Sequence, residues 1–162
     1  MTGQIVSKGS RQDGFTLVEL IVVIVIVGIL GAFAMPRFFD SRTFSERGYY
    51  EELAAALKFA QSAAVATGCP VRFALNVADY SAEQQQPLGG RCDPGDTSWG
   101  QAVRLADGSA VQGSAPQGVS AAPAINIVFN SLGATGLGAD QAISVGPYTL
   151  TVNAASGYVD TP

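Results

Sequence analysis

Few residues in this chain are able to do chemistry, and their types limit what they can do. No histidine occurs in 162 residues, which removes the usual neutral-pH general base and the commonest metal ligand. No Ser-His or Cys-His pair can be assembled for nucleophilic attack, so no catalytic residues are expected. Asp93, Asp96 and Asp107 are the candidate oxygen ligands for a hard cation. The stretch Asp93-Pro94-Gly95-Asp96 lacks the alternating acids and closing Glu of a calcium loop, so solvated turn acids are expected, with no metal and no cofactor. Two groups remain: the cysteine pair Cys69 and Cys92, and Glu19, a single acid set in a long apolar run.

That run dictates the first element. Residues 20–35 read LIVVIVIVGILGAFAM without a charge, and extending back to Phe15 adds only Thr16 and Glu19 as polar side chains. Twenty helical residues rise about 30 Å, the thickness of a bilayer core, so residues 15–35 are expected to form one membrane-spanning helix. A cleaved secretory signal fits less well. Its apolar core runs only about 7–15 residues to a small-x-small site, whereas this run ends at Met35-Pro36-Arg37-Phe38-Phe39. Lys8 and Arg11 precede the run and Arg37, Arg42 and Arg47 follow it, so counting positive charges leaves the orientation open. Both cysteines lie beyond the run. An even pair in a small export-type domain favours a disulfide, the other reading being two buried free thiols.

Gly14-Phe15-Thr16-Leu17-Val18-Glu19 lies behind a short hydrophilic leader and ahead of an apolar run ending near Pro36. This arrangement resembles the type IV prepilin signature. The resemblance implies that a prepilin peptidase cuts between Gly14 and Phe15 at the cytoplasmic face and that Phe15 becomes the N-methylated first residue. It places the leader in the cytoplasm and the globular part outside, in the periplasm and then in a filament. Removing Lys8, Arg11 and Asp13 leaves seven basic and twelve acidic side chains, a formal charge of −5. The residue types suit these roles. Gly14 lets the backbone enter a protease cleft extended, and Glu19 sits about one helical turn from the new amino group. A carboxylate at a bilayer centre costs about 2.5–3.5 kcal/mol, and less near the interface. The resemblance implies that Glu19 pairs with the amino terminus of an adjacent pilin during assembly; the alternative is an interfacial acid reaching for water.

Beyond Pro36, the expected helix kink, Tyr49, Leu53, Leu57, Ala60 and Ala64 trace one helical face. Ser45 is the expected N-cap, Gly48 a second expected interruption, and Gly68 with Pro70 the stop after Thr67. The remainder has strand character. Residues 71–77 alternate, and further strands are expected over 80–86, 102–105, 110–112, 125–129, 143–145, 148–152 and 158–159. Asp107-Gly108 marks a hairpin turn, while 87–100, 113–123 and 130–140 read as loops.

Ile125-Asn126-Ile127-Val128-Phe129, Ser131-Leu132-Gly133 and the closing Gly157-Tyr158-Val159 resemble the head of the GspH/FimT branch of minor pilins and pseudopilins. Gly68-Cys69-Pro70-Val71 is similar to the minor pilins of the mannose-sensitive haemagglutinin (MSHA) pilus system. Tyr158 stands where many members carry Arg. The expected organisation is a leader over 1–14, a transmembrane and assembly segment over 15–35, an amphipathic helix over 36–67 and a β-rich extracytoplasmic head over 68–162. Its class is α+β, with a long N-terminal helix on an antiparallel head.

The expected function is that of a minor pilin or pseudopilin in a type IV pilus or type II secretion pseudopilus. Its expected partners are the peptidase, other major and minor pilins, the inner-membrane assembly platform and the inner membrane itself. The alternative is a tip-located subunit that binds a surface ligand or incoming DNA. Nucleic acid is not an expected partner, since the net charge is −4 and Arg72, Arg91 and Arg104 are scattered. Trp99 is expected to anchor a loop rather than to present an adhesive ring.

Overall fold

The computed structural model describes residues 16–34, 41–85, 87–88, 91–92 and 98–162. Two compact units result, residues 1–40 and 41–162. In the first, α1 (Leu17–Ala34) is an 18-residue helix. Every large apolar side chain described on it is exposed, from Leu17 at 75% to Ile21 and Val23 at 47%. Among the described residues no helix is long and apolar enough to cross a membrane. The expected span over 15–35 extends past both ends of α1, and α1 alone rises about 27 Å, short of a full bilayer core. The leader, Gly14, Phe15 and the expected kink at Pro36 lie outside the described residues.

The second unit is built on α2 (Ser41–Thr67). Its buried stripe is the one the spacing predicts: Tyr49, Leu53, Leu57, Ala60 and Ala64 are all at most 1% exposed. Ser45 is not the N-cap. The helix already runs from Ser41, and the Arg42 Nε–Glu46 Oε1 pair at 3.1 Å ties its first turns together. Gly48 does not interrupt it either, because flanking residues with good helix propensity and the buried tyrosines hold the helix through that position. The helix closes where expected, with Gly68 at φ +68°, a conformation that a side chain disfavours.

Eleven short strands follow among the described residues. β1 (Val71–Leu75) and β2 (Asp79–Gln85) form a hairpin, and β8 (Ile125–Phe129) pairs with the other edge of β1. β5 (Trp99–Ala102) and β6 (Gln112–Ser114) share the outer edge of β2. The second sheet runs β11 (Val159–Asp160), β10 (Tyr148–Val152), β9 (Gln141–Val145), β7 (Ala121–Ala122), all antiparallel. β3 (Pro87–Leu88) and β4 (Arg91–Cys92) make a small separate hairpin. The period-two strands bury one face: Val71, Phe73, Leu75, Ile127, Phe129, Ile143, Val145, Leu150 and Val152 meet the α2 stripe in one core. Each large side chain fully buried there contributes about 1.5–3 kcal/mol. The α+β class is as expected.

Several boundaries differ from the sequence pattern. Only Ala102 and Gln112 of the expected strands 102–105 and 110–112 belong to named strands, because Val103 and Val111 each bond the same residue of β2, Ala82. The turn between them is the expected one: Asp107 Oδ1 accepts from Ser109 N at 2.9 Å, and Gly108 sits at φ +85°. That pairing holds the Asp107 carboxyl below the usual carboxylate range, through its hydrogen bonds from Ser109. The segments read as loops over 87–100 and 113–123 contain paired strands. Backbone bonds such as Ala115 N to Ala78 O (2.7 Å) and Ala121 N to Val77 O (2.9 Å) capture small-residue stretches that carry no alternation of their own.

Candidate assembly segment and head surface

At the start of α1, Thr16 Oγ1 accepts the Glu19 backbone N–H at 3.2 Å, and Thr16 O accepts from Leu20 N at 3.2 Å. Thr16 is thus the N-cap and Glu19 the third helical residue, the S/T-x-x-E spacing of a capping box. This capping role was legible in Thr16-Leu17-Val18-Glu19 but is absent from a reading of Glu19 as an assembly residue alone. A carboxylate in the first turn is favoured by the helix dipole. Glu19 is the acid of an otherwise apolar, exposed rod, and its backbone N–H is held by the Thr16 cap.

Cys69 and Cys92 are joined by a disulfide, with their Cα atoms 5.4 Å apart. The bridge ties the α2–β1 junction to the β3–β4 hairpin, where Cys92 pairs with Pro87. Asp93 and Asp96 lie outside the described residues, and among the described residues no cluster of acids, cysteines or histidines could hold a metal ion.

The arginines do not form a basic groove among the described residues. Arg72 pairs with Glu83 across the β1–β2 hairpin, and its guanidinium lies 5.2 Å from the centroid of Trp99. Arg104 donates to Gly108 O at 2.7 Å. Trp99, half-buried beneath Arg72, opens the edge strand β5 rather than lying in the expected loop, because its backbone pairs with Gln85 of β2.

A cluster that sequence reasoning missed joins α2 to β2. Tyr80 stacks on Phe73 (5.4 Å, 14°) and its hydroxyl donates to Glu52 Oε1 at 2.7 Å. Gly113, opposite Tyr80 in register, leaves the space that Glu52 and the Tyr80 ring occupy; a Cβ there would collide with both. Nothing in the local sequence marks this pairing, since its partners are 28 residues apart.

Tyr49 is buried beside the same cluster, its hydroxyl without a hydrogen-bond partner among the described residues. Burial first, then the Glu52 and Asp79 carboxylates, push the Tyr49 hydroxyl up to about 12. Burial and the Glu52 hydrogen bond raise Tyr80 as well. The unfolded chain ionises both phenols near 10, so above that pH it binds fewer protons than the folded head and stability falls. Thermal stability should therefore hold below pH 10 and decline between about pH 10 and 12. A melting temperature flat across that interval would contradict the buried placement of the two rings.

Two family models match the two parts of the chain. Residues 9–35 match the prokaryotic N-terminal methylation motif, and residues 50–160 match the type II transport protein GspH. The second match covers most of the chain and all of the sheet framework around α2. The chain belongs to the GspH family.

With the methylation motif ahead of it, this GspH-family chain is a type IV prepilin-like protein of the pilin and pseudopilin group. Those families are structural proteins, and the chain is not an enzyme. Among curated proteins it is similar to the type IV narrow pilus major component PilA5 of Thermus thermophilus, with 45% identity over 62 residues, 37% of this chain and 53% of that protein. It is 32% identical over 114 residues to a type IV major fimbrial protein FimA of Dichelobacter nodosus, covering 67% of this chain and 64% of the relative. A second FimA of that organism is 39% identical over 70 residues, 43% of this chain and 36% of the relative. The GspH-family chain thus spans from about a third to under two thirds of the length of these relatives. No solved structure matches it.

Proposed function

We propose that this chain is a filament subunit of a type IV pilus or type II pseudopilus. Prepilin peptidase cuts it after Gly14 and Phe15 is N-methylated. Residues 15–35 then hold it in the inner membrane as a single span, with the leader side cytoplasmic and the head periplasmic, until the same segment packs among other pilins. The observation that carries this reading is the methylation motif over residues 9–35 joined to α1, whose large apolar side chains from Leu17 to Leu30 are exposed. Such a surface requires lipid or other helices around it. Glu19 supplies its charge, positioned to pair with the amino terminus of a neighbouring pilin, while the assembly platform drives the transfer out of the membrane.

The GspH-type head supports a minor-pilin or pseudopilin place, and Gly68-Cys69-Pro70-Val71 supports the MSHA pilus system. A place in the filament shaft is the second reading, favoured by relatives described as major components. The arrangement of the arginines gives no support to a DNA-binding tip. Mass spectrometry of sheared filaments tests the proposal. The mature chain should sediment with filaments, and should vanish from them in cells lacking prepilin peptidase. Copy number well below that of the principal pilin supports the minor place and parity the shaft. Confinement to the membrane fraction in pilus-forming cells would refute the filament role.

A further inference from the structure

An apolar knob and an apolar pocket stand on opposite flanks of the same helix. The knob is Leu132, 85% exposed. Its turn is fixed by Asn130, whose Oδ1 accepts from Leu132 N (2.9 Å) and Ala134 N (3.0 Å) and whose carbonyl accepts from Gly133 N (2.8 Å). Gln61 Nε2 donates to Gly133 O at 3.0 Å, which seats the turn on the last part of α2 beside Val65. The backbone that presents the knob is therefore held in place, so little backbone freedom is lost on docking.

The pocket has a volume of about 270 Å³ and lies between α2 and the turn-bearing segment 105–111, with Ala55, Ala56, Phe59, Leu105 and Val111 in its walls. A cavity of about 150 Å³ lined by aliphatic and aromatic side chains already accepts a benzene-sized group, so this one has room for a leucine side chain. Glu52 stands at its rim with one carboxylate oxygen taken by Tyr80.

At 100° per residue, Gln61 and Val65 lie about 150° around α2 from the centre of Ala55, Ala56 and Phe59 across the outer face of the helix, and about 210° across its buried stripe. Knob and pocket on opposite flanks cannot satisfy each other within one head. They can do so between heads. A contact in which one patch meets a different patch on the next copy does not close on itself, and it propagates as an open helical array. The charges follow the same offset. On the knob flank Lys58 lies about 7 Å toward the helix N-terminus from Gln61 and Val65, and on the pocket flank Glu52 lies about 7 Å in that direction from the pocket centre. With the two α2 helices parallel, docking brings Lys58 of one head level with Glu52 of the next.

We infer that Leu132 of one head inserts into the Ala55–Phe59–Leu105 pocket of a second copy, with Lys58 facing Glu52, as a lateral subunit contact. The inference rests on the filament reading above, in its shaft form, and assigns the head surfaces that neighbouring subunits use.

The test is site-directed crosslinking of the full-length chain carrying Leu132→Cys with Ala55→Cys, expressed in pilus-forming cells and oxidised. Filament and membrane fractions are both read on non-reducing gels. The double variant should give a ladder of dimers and higher multimers, and neither single variant should. No ladder in either fraction, with mature chain present, overturns the contact. A chain missing from filaments would refute the filament role alone, and the membrane fraction would still decide the contact. Adding Lys58→Glu should lower ladder yield about fivefold, and further adding Glu52→Lys should restore it; an unchanged yield in both would overturn the charge pairing and the register built on it.

Discussion

Glu19→Leu is expected to be cleaved, to remain in the membrane fraction and to be lost from filaments. The substitution makes an exposed apolar helix more apolar, so insertion improves. In the proposed assembly, what it removes is the partner of a neighbouring amino terminus. An ammonium left unpaired in an apolar surrounding costs about 3–5 kcal/mol, enough to lower incorporation by two orders of magnitude or more. Glu19 also sits in the capped first turn of α1, and two companion variants separate that role. Thr16→Ala removes the cap and keeps the charge, and it should incorporate nearly normally. Glu19→Gln keeps a side chain suited to the capping box and removes the charge, and it should fail as Glu19→Leu does. Wild-type incorporation of Glu19→Gln would show that the carboxylate serves only the helix end.

Cys69→Ser has the largest expected effect on the head. The bridge closes a sequence separation of 23 residues, and its loss releases chain entropy in the unfolded state worth about 3–4 kcal/mol. For a unit of this size that corresponds to a fall of roughly 10–20 °C in melting temperature. The local geometry predicts where loosening begins. Cys69 is buried at the end of α2, and the β3–β4 hairpin that holds Cys92 has only two residue pairs in its ladder. Protease cuts in Cys69→Ser should therefore concentrate in residues 86–98, while cleavage after Gly14 continues unchanged. Melting and proteolysis equal to wild type would mean that the bridge contributes nothing to the head, and two reactive thiols in wild-type protein from the cell envelope would contradict the bridge itself.

The elements legible in the sequence are those whose signal is local. The α2 stripe is a helical repeat with no competing pattern, Gly68 and Pro70 are a stop of known stereochemistry, and β1, β8, β9 and β10 alternate or carry β-branched runs. The short edge strands β5 to β7 are different in kind. Residues such as Gly113, Ser114, Ala121 and Ala122 have no strand preference, and they pair because β2 and β9 offer unpaired backbone groups. The same reason hid the Tyr80–Glu52–Gly113 cluster and the pocket beside it, which exist only once α2 lies on β2. At the N-terminus the position is reversed. The methylation motif over residues 9–35 is a local signal read directly from the sequence, and the structure adds the Thr16 cap, read from a spacing already visible in Thr16-Leu17-Val18-Glu19.

The prepilin character of the chain is the claim on which membrane anchoring, topology and assembly all depend, and one mass measurement reaches it directly. The full-length protein, extracted from membranes of cells that contain prepilin peptidase, is digested and its N-terminal peptide sequenced by mass spectrometry. The account predicts a chain that begins at Phe15 with one added methyl group on its amino nitrogen, and a Gly14→Val variant that stays membrane-bound and retains the leader. A chain that begins at Met1, or one cut beyond Ala34, would contradict it.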